Sequence, residues 1–568
     1  MSDLIDLVRD LRTRTLPEGI ASGDVSEDSI VLWTRTTALG DVTFTVFDES
    51  GLLPRKVAEM TVEATDPEIP VKVVVEGLEP GTAYSYTVKD ASRASLTGEF
   101  TTAHAAGYNG LRFGVTGDWR GDLNPYSGIA NMDERELDFA VLLGDTVYHD
   151  IPSLAGLATT EIDGMRAKYR EVYGSRAGEN FWADAKASTP VFATIDDHEV
   201  FDNFAGGATA DTEDRVPEVT GFVNDTVAFE NGLQVFQEYH PIEDVFYGFN
   251  DDPRFSQERQ LYRTQNFGDD AAIFILDQRS FRDTQIDSPE PDDDPAFDDP
   301  EIQAYLQESF DPSRTLLGRT QLNQVKADLL AAEEDGITWK FVNTPEPIQD
   351  FGEFSTDAWG GYEAERTDLL NFIEDNDIDN VVFIAADIHG TFVNNIYNRQ
   401  GPNAELTPTG MWEITTGSVG FWPGAGATAI GLGTLDGDVS FSDAFEFLSL
   451  PTVPDMDDVV DDRDDFVKAF YNEQRLAPLG LDPLGLDDNL PEADGLIDAE
   501  LLQGDWVAAN SFGWTEFEID AQTQDLTVTT WGVPEYTTVG AIFTPFRVSA
   551  LEPEIFSQFV VSPELDLA

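Results

Sequence analysis

"PVFATIDDHEV", residues 190–200, runs an apolar stretch, Val191 to Ile195, directly into Asp196, Asp197, His198 and Glu199. The apolar part is short, with β-branched and aromatic residues on successive positions, which reads as a strand buried on both faces. Its ending is costly. Three acids and a histidine side by side repel one another and lose hydration unless a cation, a proton or a ligand pairs with them.

The same pattern recurs on either side. "LRFGVT" (111–116) ends in Gly117-Asp118, and "FAVLL" (139–143) ends in Gly144-Asp145-Thr146-Val147-Tyr148. "WKFV" (339–342) ends in Asn343, and "NVVFIA" (380–385) leads into Asp387-Ile388-His389. Helix-like segments such as "RTQLNQVKADLLAAE" (319–333) and "AERTDLLNFIEDN" (364–376) separate the apolar runs. Apolar strands with helical connections predict an α/β layered domain. In open α/β sheets ligands bind outside the carboxyl ends of the strands, so these five endings are expected to converge. An Asp or Asn after one strand is commonly a turn former or a helix cap. Five together make the coordination sphere of two cations, with Asp145 able to bridge them. The chain has five histidines, and His198 and His389 fall in this set. His104 and His240 read as structural, and His149 is ambiguous.

Residues 16–104 read as an all-β module. "SIVLWTRT", "VTFTVFDE", "VKVVVEG" and "YSYTVKD" are short strands between Gly, Pro and Asp turns, as in a fibronectin-type sandwich. The remaining divisions are an N-terminal helical segment (1–15), a catalytic domain (105–530) and a C-terminal tail (531–568). Two acidic stretches, 283–301 and 431–500, read as surface loops; calcium binding is the alternative for the second.

Composition narrows the function. Lys and Arg number 33 against 108 Asp and Glu, a formal charge of −75, which argues against nucleic-acid binding through a basic surface. The acids are interleaved with apolar runs and 10 Trp, unlike an acidic disordered chain. Such charge is tolerated where concentrated salt shortens the Debye length to about 3 Å, so a halophile's protein is expected. Cysteine is absent, which removes disulfides and thiolate ligands. No run approaches the ~20 apolar residues of a membrane span. The first twenty residues lack an apolar export signal, which favours the cytoplasm; an extracellular location is the alternative if the N-terminus is processed.

The order Asp118, "GDTVY", "DDHE", Asn343 and "DIH" resembles the binuclear metallophosphoesterases, and the offset of Tyr148 is similar to that of purple acid phosphatases. With "GIASGDVSEDSIVLWTRT", "IDDHEVFDNF", "LYRTQNFGDDAAIFILDQRSFR", "DAWGGYEAERTDLL" and "SFGWTEF", the chain resembles the PhoD-like (alkaline phosphatase D) family over about residues 16–530. The resemblance implies a four-layer α/β/β/α metallophosphatase fold behind a fibronectin-like β-sandwich. It also implies metal-dependent hydrolysis of small phosphate mono- or diesters by an activated water. Metal 1 would take Asp118, Asp145, Tyr148 and His389; metal 2 would take Asp145, Asp197, Asn343 and Asp387. Fe³⁺ is expected at site 1 from the phenolate, and Ca²⁺ at the oxygen-only site 2, with Mn²⁺, Mg²⁺ or Zn²⁺ as alternatives.

His198, beside Asp197, is the candidate acid for the leaving alkoxide. Arg120 meets either a phosphate oxygen or a structural carboxylate. Arg279 and Arg282 have the same two readings, with support of the ligands favoured, and Glu199 orients its neighbours. The sequence departs from the family in three places. Asp118 stands where a cysteine is usual, Asp202-Asn203 replaces an Asn pair, and Arg120 stands where many metallophosphoesterases have a His. The rival readings are a phospholipase-D-like phosphodiesterase and a non-catalytic acidic calcium-binding protein.

Overall fold

The computed structural model describes residues 14–564 except 214, 217–219, 288–299, 353–355, 438, 458, 478–479, 489 and 494. The expected helical segment 1–15 lies outside the described residues but for its last two, as does most of the acidic loop 283–301.

The five site-bearing runs all form strands: β1 (Leu111–Trp119), β2 (Phe139–Leu143), β3 (Val191–Thr194), β4 (Trp339–Asn343) and β5 (Val381–Ala385). β1, β2 and β3 are parallel neighbours, with Val115 opposite Val141 and Leu142 opposite Ala193. They occupy the centre of an eleven-stranded sheet among the described residues. β4 and β5 are parallel neighbours, with Phe341 opposite Val382, in a seven-stranded sheet.

Strand alternation divides their side chains between different parts of the core. Phe113, Val115, Phe139 and Val141 share one cluster with Phe341, Val382 and Ile384 of the other sheet. Ala140, Leu142 and Ala193 pack instead with Met165, Tyr169, Leu233 and Phe236, from the helices Ile162–Tyr173 and Val227–Tyr239. Val342 and Phe383 pack with Leu322, Val325 and Leu369, from the helices Gly318–Glu334 and Glu363–Asp375. Phe113 is the hub between the sheets. Its ring stacks on Phe139 at 4.9 Å and Phe517 at 4.7 Å, and meets Phe341 edge-on at 5.0 Å. Each such side chain contributes about 1.5–3 kcal/mol by burial. That packing sets the carboxyl ends of β1–β3 against those of β4 and β5.

The N-terminal module is β-rich, but it shares a sheet with the rest of the chain. Strands Ile20–Gly23, Ser29–Thr34 and Val71–Glu76 continue the eleven-stranded sheet beside β3, with Gly23 opposite Val191. Glycine is required there, because a Cβ on Gly23 would sit 2.3 Å from the carbonyl oxygen of Val191. The strands Gly40–Asp48, Arg55–Ala64, Ala83–Lys89 and Ser95–Thr101 form a separate four-stranded sheet. Toward the C-terminus, Glu554–Val561 pairs with Leu526–Pro534 inside the large sheet, so the stretch named as a tail includes sheet.

Residues 431–500 are more ordered than their composition predicts. Helices Ala425–Asp436, Phe441–Phe447 and Arg463–Phe470 lie wholly or partly in the region. Val467, Leu476 and Leu484 pack with Phe392 and Val507. "AGATAIGLGTLD" is so rich in Gly and Ala that no apolar stripe marks its helical period. The caps were the readable signal. Ser440 accepts from Asp443 N, and Asp462 accepts from Asp464 N and Asp465 N. No helix among the described residues is long and apolar enough to cross a membrane.

Candidate metal centre

The strand endings are turned by backbone that L-residues seldom adopt. Asp118, Asp145, Asp387 and His389 have φ of 60°, 49°, 65° and 58°. Such left-handed positions cost roughly 1–3 kcal/mol each and persist where surrounding structure over-determines them. Gly144, at φ 85°, lets the turn after β2 lie against the end of β3; a Cβ there would sit 2.3 Å from Asp196 N.

Glu199 fixes that turn. Its carboxylate accepts from Asp145 N (3.2 Å), Thr146 N (2.7 Å), Thr146 Oγ1 (2.7 Å) and Asp196 N (3.0 Å). Burial pushes its carboxyl up to about 7, against the hydrogen bonds from Thr146 and Asp196.

Among the described residues, two groups of side chains stand close enough to hold a cation. Asp118, Asp145 and His389 form one, and Asp145, Asp197 and His198 the other; within each, one ligand atom per residue lies within 4.8 Å of the rest. Asp145 belongs to both. The Tyr148 hydroxyl is 3.4 Å from His389 Nε2, which is itself 3.6 Å from Asp118 Oδ1. Asn343 Oδ1 is buried without a partner while its Nδ2 donates to Phe341 O at 3.2 Å, so the carbonyl oxygen is the free end. Asp387 belongs to neither group; burial, then Asp196 and Asp357, push its carboxyl well up.

The donor set fits cations. Both oxygens of Asp118, Oδ1 of Asp197 and Oδ1 of Asn343 are buried with no hydrogen-bond partner. Burial, then Asp196, drives Asp118 well above the carboxylate range, and burial, then Asp197, does the same to Asp145. Positive charge at the centre would relieve both the unpaired lone pairs and the mutual repulsion.

His198, expected as an acid and not as a ligand, stands in the second group with Asp145 and Asp197. Its backbone N donates to Asp145 Oδ1 (3.1 Å), and its Nδ1 lies 2.6 Å from Asp150 Oδ1. Nε2 lies 3.7 Å from Asp197 Oδ1 and 3.9 Å from Asp145 Oδ2. Burial opposes the imidazolium, but Asp197 and Asp150 outweigh it and raise His198 to about 10.

The arginines divide. Arg279 is fully buried, bonded to Asp196 Oδ1 (2.5 Å), Asp357 Oδ2 (3.2 Å) and Glu346. Arg282 donates to the carbonyls of Phe204 (3.0 Å), Asn203 (2.8 Å) and Asp357. Both brace the chain under the acids. Arg120 makes an ion pair with Asp122 at 2.9 Å, and its guanidinium lies 5.7 Å from the Phe421 ring. Phe421 in turn stacks on His389 at 3.8 Å, which keeps Arg120 at the rim of the centre. His149 is buried and bonds Glu199 O through Nδ1 (2.8 Å), and His240 is held between Phe236 O and Tyr173, both at 2.7 Å.

Sequence reasoning missed Asp150, Glu346 and Asp357. Asp150 sits two residues past Tyr148, within sight of "GDTVY". Asp357 opens "DAWGGY", where the aromatic residues suggest core. Glu346 follows a proline, and its buried partner Arg279 lies 67 positions away (346 less 279).

Residues 115–434 match the PhoD-like phosphatase family, and residues 6–104 match the PhoD-like phosphatase N-terminal domain. The chain belongs to the PhoD-like phosphatase family. Among curated proteins it is similar to alkaline phosphatase D of Bacillus subtilis (strain 168), 28% identical over 417 residues, or 67% of this chain. That match spans 65% of the relative's length. Among solved structures it is similar to PhoD, with a TM-score of 0.65 at 21% identity, covering 96% of this chain and 90% of the other. At that identity the likeness establishes the fold, mixed α/β sheets with a β-rich N-terminal region.

Proposed function

We propose that this chain hydrolyses phosphate esters at a two-cation centre. The observation that carries the reading is Asp145, shared between two adjacent ligand groups at the ends of strands from two sheets. Asp118, Asp145, Tyr148 and His389 would hold one cation, and Asp145 and Asp197, with Asn343 and Asp387, would hold the second. Bound cations would supply charge neutralisation for the phosphate oxygens and a more acidic water as nucleophile. The chain's own residues do the rest. His198 Nε2, beside Asp145 and Asp197, delivers a proton to the departing alcohol. Glu199 and Arg279 keep the acids in register, and Arg120 steadies the rim through Asp122 and Phe421.

The donor chemistry favours Fe³⁺ in the group with the phenol and imidazole, and Ca²⁺ among the oxygens. The separate core clusters support a four-layer α/β/β/α arrangement of helices and sheets. The charge of −75 supports adaptation to concentrated salt. The test is turnover of p-nitrophenyl phosphate and its diester by purified protein, before and after chelation. Activity lost with the metal and restored on its return supports the proposal; no turnover of either ester by metal-replete protein contradicts it. The ratio of the two rates separates a monoesterase from a phospholipase-D-like diesterase.

A further inference from the structure

Residues 421–425 form a short loop tied to the metal centre at both ends. Before it, the strand Ser418–Gly420 runs parallel to β1, with Ser418 opposite Gly117 and Gly420 opposite Trp119. Arg120 N donates to Gly420 O at 2.9 Å. After it, Ala425 N donates to the carbonyl oxygen of His389 at 3.3 Å. The loop is thus pinned between the strand end that carries Asp118 and the turn that carries His389.

Its two aromatic residues have different settings. The Phe421 ring is stacked on the His389 ring at 3.8 Å, 17° from parallel, and lies 5.1 Å from the Tyr148 ring. Trp422 follows, its carbonyl oxygen accepting from Arg120 Nη1 at 3.5 Å. The Trp422 side chain is 41% exposed, whereas every other tryptophan is buried or half-buried. The centre itself reaches solvent on this side: the His389 and Arg120 side chains are each 20% exposed, against 0% for Asp118.

A single exposed tryptophan is ordinary on a protein surface. This one follows directly on a ring stacked against an expected metal ligand, and its own carbonyl holds the arginine at the rim. The formal charge of −75 repels a phosphate at long range, whereas an uncharged organic group meets no such opposition. An indole face favours flat rings in offset stacking, and apolar contact survives the salt that screens charge recognition.

We propose that Trp422 is a specificity-determining residue that receives a flat aromatic ring on the organic group of the ester. This rests on the phosphoesterase reading above and adds to it a substrate class, phosphate esters of alcohols that carry an aromatic ring or a nucleobase.

The test compares esters that differ by the ring. Wild-type protein, Trp422→Ala and Trp422→Phe are assayed, metal-replete and in molar KCl, on ethyl against benzyl phosphate and on ribose 5-phosphate against adenosine 5′-phosphate. Each is used as the monoester and as its methyl diester. Every leaving group is a primary alkoxide, so the ratio of kcat/KM within a pair reports the ring. Wild type is expected to favour the ring-bearing member, and Trp422→Ala to lower that preference about tenfold, through KM, with metal content unchanged. Trp422→Phe, which keeps a ring, is expected to recover part of the preference. A fall in the first pair assigns a ring close to the leaving oxygen, and a fall in the second assigns a nucleobase. A wild type without preference, or a preference that Trp422→Ala leaves unchanged in both pairs, would overturn the role of Trp422 while leaving the hydrolase reading intact. A wild-type protein that turns over none of the esters overturns both.

Discussion

Glu199 accepts a hydrogen bond from the backbone N–H of Asp145 at 3.2 Å, across 54 residues of sequence. The same carboxylate also takes Thr146 N, Thr146 Oγ1 and Asp196 N, so one buried side chain joins the ends of β2 and β3. Glu199→Ala leaves these donors without an acceptor. A buried donor left unpaired costs about 1–3 kcal/mol, so the variant is expected to lose at least about 2 kcal/mol of stability and its cation affinity. Urea unfolding with metal analysis checks this; wild-type stability and metal content contradict it.

Tyr148 carries a colour prediction. Burial, then Asp145, pushes its phenol well up, so only a strongly charging cation beside it draws the proton off. With Fe³⁺ bound, phenolate charge transfer is expected to colour concentrated protein, and Tyr148→Phe to bleach it while iron remains. A visible spectrum with iron analysis decides it. A colourless, fully active protein containing zinc alone contradicts the assignment.

Salt dependence follows from the formal charge of −75. Self-repulsion opposes the compact state unless screened, and the Debye length grows from about 3 Å at 1 M to about 30 Å at 0.01 M. The melting temperature is expected to fall as KCl is lowered from molar to millimolar. A melt unchanged in dilute buffer refutes the salt-adapted reading.

Lys186 gives a pH prediction remote from the metal centre. Its ammonium lies 4.4 Å from the Trp33 ring and 4.8 Å from the Tyr173 ring. Burial pushes it down to about 7, against the opposing pull of Glu18. The folded value thus lies below the unfolded value of about 10.4, so the unfolded chain binds more protons between those pH values and stability rises there. Below pH 7 both states are protonated and the cost of the buried charge is present in full. Lys186→Met removes that cost. Its melting-temperature advantage over wild type is expected to be largest near pH 6 and to shrink toward pH 10. An advantage constant with pH contradicts the assignment.

Much of the centre was legible because its residues sit where strands stop. Asp118, Asp145 and Asp197 each follow an apolar run whose length and β-branching mark it as buried strand, so their convergence follows from topology. Glu199 was readable only as a neighbour, because its four donors come from other strand ends. Asp150, Glu346 and Asp357 escaped because a carboxylate's partner across space leaves no periodic trace in sequence. The sharing of one sheet between the N-terminal module and β3 escaped for a related reason. It depends on the approach of Gly23 to Val191, and a lone glycine announces a close contact without naming the partner. In residues 425–436 the Gly and Ala content hid a helix that sets Ala425, Ala429 and Ile430 into a core cluster.

The most direct measurement is metal content per chain, taken with turnover of p-nitrophenyl phosphate or its diester, in wild type and Asp145→Asn. Active wild-type chains are expected to carry two or more cations each. In Asp145→Asn, loss of one or both cations is expected, with turnover falling to background although the protein stays folded. An Asp145→Asn variant that keeps wild-type metal and rate, or a metal-free wild type that remains fully active, would contradict the two-cation centre.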